Sequence, residues 1–150
     1  MGESSPASCT SHIGDDEIKS RLRAIEPPVS RLLGRNIISA SAIGTVEILF
    51  EAKSDFMNGR GTIQGGMLSA MLDTAMGNAV AATLAESQSL VTLEFSVRFL
   101  RPALPGSLRS KARVTGKGRR IRHVEAELYD EARILIARSA SIKLILSKDG

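Results

Sequence analysis

An α+β domain, one long central helix wrapped by an antiparallel β-sheet, is what this sequence predicts, and three observations carry the prediction. Met67 to Ala85 holds no proline and a single glycine, Gly77, and is rich in Ala, Leu and Met. Four segments after it alternate apolar and polar residues with the period of two that strands require. Turn-forming residues separate those segments, so they read as a meander whose apolar face covers the helix while the other face stays wet.

The elements follow in chain order. Residues 1–14 are rich in Ser, Gly, Pro and Thr and are expected to be a disordered tail; residues 15–150 are expected to form one domain. Asp15 and Asp16 are placed to cap a short helix through Ile18, Leu22 and Ile25 that ends before Pro27-Pro28. A second short turn, Val29 to Leu33, stops at Gly34. Ile37 to Phe50 reads as two strands or one bent strand, because Gly44 interrupts it; Val46, Ile48 and Phe50 share a face. The central helix is expected from about Gln64 to Glu86, ~34 Å long. It is apolar nearly all round, which implies burial on most sides. Val91, Leu93, Phe95, Val97 and Phe99 alternate with Thr92, Glu94, Ser96 and Arg98. Leu108, Ala112 and Val114 then alternate with Arg109, Lys111 and Arg113, and Val124, Ala126 and Leu128 with His123, Glu125 and Glu127. Ile134 to Leu146 is expected to close the sheet, as an edge too apolar to be left open.

Composition narrows the classes. The chain has 150 residues, enough for one core, and with 3% aromatics and no Trp that core must be aliphatic. Its longest near-apolar run falls well short of the ~18–20 residues of a membrane span, so no membrane partner is expected. Asp15, Asp16 and Glu17 stand where a signal peptide would need apolar residues, and Cys9 is alone; a cytoplasmic protein is the expectation. His12 and His123 are far apart and no carboxylates cluster at ligand spacing, so neither metal nor cofactor is expected.

Charge is unevenly spread. Residues 98–123 carry nine Lys and Arg and no acid, which suits an anionic ligand. Because no aromatics are interleaved to stack bases, nucleic acid fits less well than a phosphorylated small molecule.

The richest chemistry lies at Asn58-Gly59-Arg60-Gly61-Thr62-Ile63-Gln64-Gly65-Gly66, with Asp73 seven positions further on. Four glycines in nine residues cost much backbone entropy and feed directly into the central helix. A helix start offers unpaired N–H groups and the positive end of a dipole to a developing oxyanion. Glycine lets a substrate approach those amides. A carboxylate two turns away completes what acyl transfer to water needs.

This constellation resembles the hotdog-fold thioesterases, specifically their PaaI-like (phenylacetic-acid-pathway type) branch. The matching residues are Asn58, Gly61, Gly65-Gly66 and Asp73, then Val91-Thr92-Leu93 and Phe99-Leu100-Arg101-Pro102, and the likeness covers about Gly34 to Leu146. It implies a hotdog fold and an acyl-CoA thioester hydrolase, with Asp73 as general base or nucleophile. Gly65 would supply an amide to the thioester carbonyl, with Gly66 beside it, Asn58 would help to place the water, and Thr92 would be a polar helper. Thr92 lies on the polar side of its strand, so it reaches a site only across a subunit boundary or through a bulge. One or two of Arg101, Lys117, Arg119 and Arg120 would meet the CoA phosphates. Such a site needs two chains, so the resemblance implies a homodimer or a dimer of dimers. Many relatives carry histidine where this chain has Gln64. A glutamine hydrogen-bonds but does not shuttle protons, which argues against a hotdog dehydratase. Gln64 stands either as a helix-start residue or as a ligand contact. The alternative functional reading is an acyl-CoA binding hotdog module without chemistry. Aryl, medium-chain and long-chain acyl groups all remain open.

Overall fold

Proline and glycine punctuate the first third of the chain in a computed structural model that describes residues 14–149. The tail expected over residues 1–14 lies, apart from Gly14, outside the described residues. Helix α1 (Asp15–Ala24) sets three acids against its own positive end and buries Ile18 and Leu22. Helix α2 (Pro28–Leu32) opens on a proline, whose missing N–H is no loss there, and gives way at Gly34, φ +61°. Strands β1 (Asn36–Ser41) and β2 (Thr45–Ala52) form a hairpin rather than one bent strand. Its turn needs Gly44: φ is +92°, and a Cβ there would lie 2.6 Å from Val114 Cγ2.

Helix α3 (Gly65–Ala81) is the central helix, five residues shorter at its C-terminus than expected. The cause is local. Thr83 Oγ1 donates back to the Val80 carbonyl at 2.7 Å, and Arg21 donates to the carbonyls of Ala81 and Ala82 at 3.2 and 3.4 Å. Carbonyls that another turn would have used are thus already satisfied. No described helix is long and apolar enough to cross a membrane.

Strands β3 (Gln88–Phe99), β4 (Gly106–Lys117), β5 (Ile121–Tyr129) and β6 (Leu135–Ser147) complete one antiparallel sheet in the order β1-β2-β4-β5-β6-β3. The inner face of this sheet wraps α3, and Met71, Leu72, Ala75, Met76 and Ala79 are fully buried against Ile48, Leu108 and Leu128. Each such Leu or Met contributes ~1.5–3 kcal/mol from burial. This is the hotdog fold.

Two expectations need correction. Strand β6 is interior, between β5 and β3, and β3 is the apolar edge: Leu93 is 56% and Phe99 51% exposed. The alternation along β3 is also not continuous. Its register with β6 slips between Thr92 and Glu94, which face Lys143 and Ile142. That β-bulge absorbs Leu93 and turns Thr92 to the helix side of the sheet.

Candidate active site

Gln64 is the N-cap of α3, exposed, and makes no side-chain capping bond; its own amide donates to the Phe56 carbonyl at 2.8 Å. Gly65 and Gly66 open the helix, and their N–H groups meet no acceptor among the described residues. These are the orphan donors of a helix start. The Phe99 ring lies over Gly65, 3.2 Å from where a Cβ would stand, whereas a Cβ on Gly66 would meet nothing within 4 Å. An apolar cavity of about 310 Å³ adjoins this end, lined by Ile63, Leu68, Phe99, Leu100, Pro102 and Ala103. The preceding loop holds itself together. Asn58 Oδ1 accepts from the amides of Arg60 and Thr62 at 2.9 and 3.3 Å, and Asn58 Nδ2 donates to Thr62 Oγ1 at 3.0 Å. The Asn58 carboxamide is thereby engaged within its own turn, as Asx-turn chemistry provides.

Asp73 lies two turns along α3. Its Oδ1 accepts from Lys143 Nζ at 2.6 Å and from Thr92 Oγ1 at 3.1 Å, while Lys143 Nζ also donates to Thr92 Oγ1 at 2.6 Å. Oδ2 takes no hydrogen bond among the described residues. The ammonium is buried, 1% exposed, and the carboxylate is 40% exposed. Thr92 therefore reaches the site within one chain, through the bulge. Lys143 is the residue that sequence reading missed. A signal existed: counting by two from Ile145 puts Lys143 in line with Ser141, Ser139 and Ala137, all buried.

The basic residues divide. Arg101 sits beside the apolar cavity and donates to the Leu135 carbonyl at 2.8 Å. Lys117 ends β4, and Arg119 and Arg120 lie in the β4–β5 connection, where the Ile145 amide donates to the Arg120 carbonyl. Ile145 pairs with Leu90, at the opposite end of β3 from Phe99 and Arg101. One chain therefore does not gather all four.

Bare helix amides, a tethered carboxylate and a sheet wrapped on their helix together define the class of hotdog thioesterases. The sequence model of the thioesterase superfamily matches residues 60–137, more than half the chain, and the protein belongs to that superfamily; within it, it is PaaI-like. The structure of a candidate thioesterase from Ralstonia eutropha, described as phenylacetic acid degradation-related, is similar at 36% identity. That likeness covers 85% of this chain and 98% of the other, with a TM-score of 0.79. The PaaI protein of the Escherichia coli phenylacetic acid degradation operon shares the fold, at 21% identity over 86% and 91% of the two chains, with a TM-score of 0.78. A protein of Thermoplasma volcanium named as a candidate esterase is 28% identical over 99 residues, 66% of this chain and 74% of that one.

Proposed function

We propose that the protein hydrolyses acyl-CoA thioesters, with Asp73 as the general base and the start of α3 as the oxyanion site. The observation that carries this reading is the state of Asp73: one oxygen is tethered twice and the other is free on a half-exposed side chain. Oδ2 takes a proton from water as the water oxygen attacks the thioester carbonyl carbon. Negative charge builds on the carbonyl oxygen, where the Gly65 amide and the helix dipole meet it. Collapse breaks the carbon–sulfur bond, and the proton held by Asp73 passes to the departing thiolate.

One chain does not supply both parts. Gly65 and Asp73 are eight residues apart on one helix, a rise of ~12 Å, too far to serve a single carbonyl. A second copy solves this. Gly66, Ala70, Asp73 and Gly77 form a stripe of α3 at spacings of three and four that is exposed at Gly66 and half-buried along the rest, and a Cβ at either glycine would meet nothing within 4 Å. Beside it runs the exposed edge of β3. Antiparallel pairing of two β3 strands about a two-fold axis between Phe95 and Ser96 sets Thr92 of one copy opposite Phe99 of the other. Asp73 then faces the Gly65 amide of the second copy. The same pairing brings Arg101 of one copy toward the β4–β5 connection of the other, a basic rim for the CoA phosphates.

The deciding experiment offers aryl, medium-chain and long-chain acyl-CoAs and detects free thiol. Catalytic CoA release from at least one class is expected. Binding without release from any of them would instead favour a non-catalytic acyl-CoA binding module.

A further inference from the structure

We propose that Lys143 is a positioning residue that sets the orientation of the Asp73 carboxylate for attack, a role that rests on reading Asp73 as the base. Lys143, Thr92 and Asp73 close a triangle: the ammonium donates to both partners, and the Thr92 hydroxyl donates to the same carboxylate oxygen. Three elements meet there, β6, β3 and α3, and each contributes one group. An aspartate on a half-open helix face otherwise has rotamer freedom about χ1. Two donors on Oδ1 restrict that freedom and leave Oδ2 unbonded on a half-exposed side chain.

The ammonium itself does not reach substrate. It is 1% exposed and its hydrogen bonds go to Asp73 and Thr92, so whatever it does for turnover it does through the carboxylate they hold. Core stability gives no reason for it either. A buried ion pair is often no more stabilising than an apolar residue of similar volume. Lys143 sits between Ser141 and Ile145 on the buried side of β6, where a methionine would fill the same space. The β3 bulge points the same way, since without it Thr92 would face away from the helix and the triangle would lose its third member.

The test is a double-mutant cycle of Lys143→Met and Asp73→Asn, read as kcat, KM and melting temperature for each variant. In the Asp73 background, Lys143→Met is expected to lower kcat by roughly 100-fold, the scale of a small misplacement of a reacting group. KM should stay within about threefold and melting temperature should be unchanged or higher. In the Asp73→Asn background, the same substitution should lower kcat no further. Lys143→Gln, which keeps an N–H donor near the carboxylate, should retain more kcat than Lys143→Met. It also replaces Lys143→Met in the cycle if the methionine variant does not fold. Undiminished kcat in Lys143→Met, while Asp73→Asn is inactive, overturns the inference and leaves the base assignment standing. So does an equal loss in both backgrounds, or equal kcat in the Gln and Met variants. Full activity in Asp73→Asn overturns the base assignment itself.

Discussion

The two ends of the candidate site are built from different materials. At the Gly65 end the functional groups are main-chain amides, furnished by the helix start whatever its side chains, with Phe99 and an apolar cavity alongside. At the Asp73 end they are three side chains drawn from three elements, held together by hydrogen bonds in a closed ring. The first end depends only on where a helix begins. The second depends on the register of two strands against that helix, and so on the whole sheet. A change of side chain should therefore pass lightly at the first end unless it removes an N–H or, at Gly65, crowds the Phe99 ring, and heavily at the second.

The largest expected effect is that of Asp73→Asn, a fall in kcat of ~100–10,000-fold. It should also destabilise the fold, because an ammonium that is 1% exposed then lacks its counter-charge; ~3 kcal/mol in a denaturant titration is the scale. Adding Lys143→Met should restore that stability without restoring turnover. Gly65→Pro comes next. Proline is accepted at the first position of a helix and Gln64, at φ −57° and ψ 133°, already has the backbone that a following proline asks for. Far-ultraviolet dichroism should stay unchanged while loss of one donor lowers kcat by ~100–1000-fold. Mixing these two inactive variants under conditions of subunit exchange sharpens the comparison. Each mixed dimer keeps one intact pairing of the two ends, so about a quarter of the original activity should return. No recovery would show that the ends work within one chain. The smallest effect is expected from Thr92→Val, which removes one of two tethers and should lower kcat by only ~5–10-fold, measured at saturating substrate.

What could be read ahead of the structure follows the same division. The glycine loop, the helix behind it and Asp73 are contiguous in sequence, and their spacing is itself the signal. Strand assignments rested on local alternation and were recovered over 88–99, 106–117, 121–129 and 135–147. Strand order was not recoverable in this way. That β6 sits inside the sheet and β3 outside is decided by which strand the chain returns to after two hairpins, and both are equally apolar by inspection. The bulge at Leu93 escaped for a related reason: an unbroken alternation from Val91 to Phe99 carries no mark that one residue is out of step. Lys143 was hidden because a charged residue reads as solvent-facing by default, and only its place among Ser139, Ser141 and Ile145 contradicts that. Asn58 shows the opposite case, a residue whose local turn chemistry is enough to account for every bond its side chain makes.

Leu93 carries a consequence for how this gene tolerates change. Excising that codon would give a tidier strand, with uninterrupted pairing to β6 and nothing lost from the interior. Thr92 would still stand opposite Lys143 and Glu94 opposite Ile142, because those two pairs already follow one another along β6. The shortened protein should fold, express and keep its turnover, whereas loss of a neighbouring in-register codon would turn one side of the strand inside out: the irregular residue is the one this strand can spare.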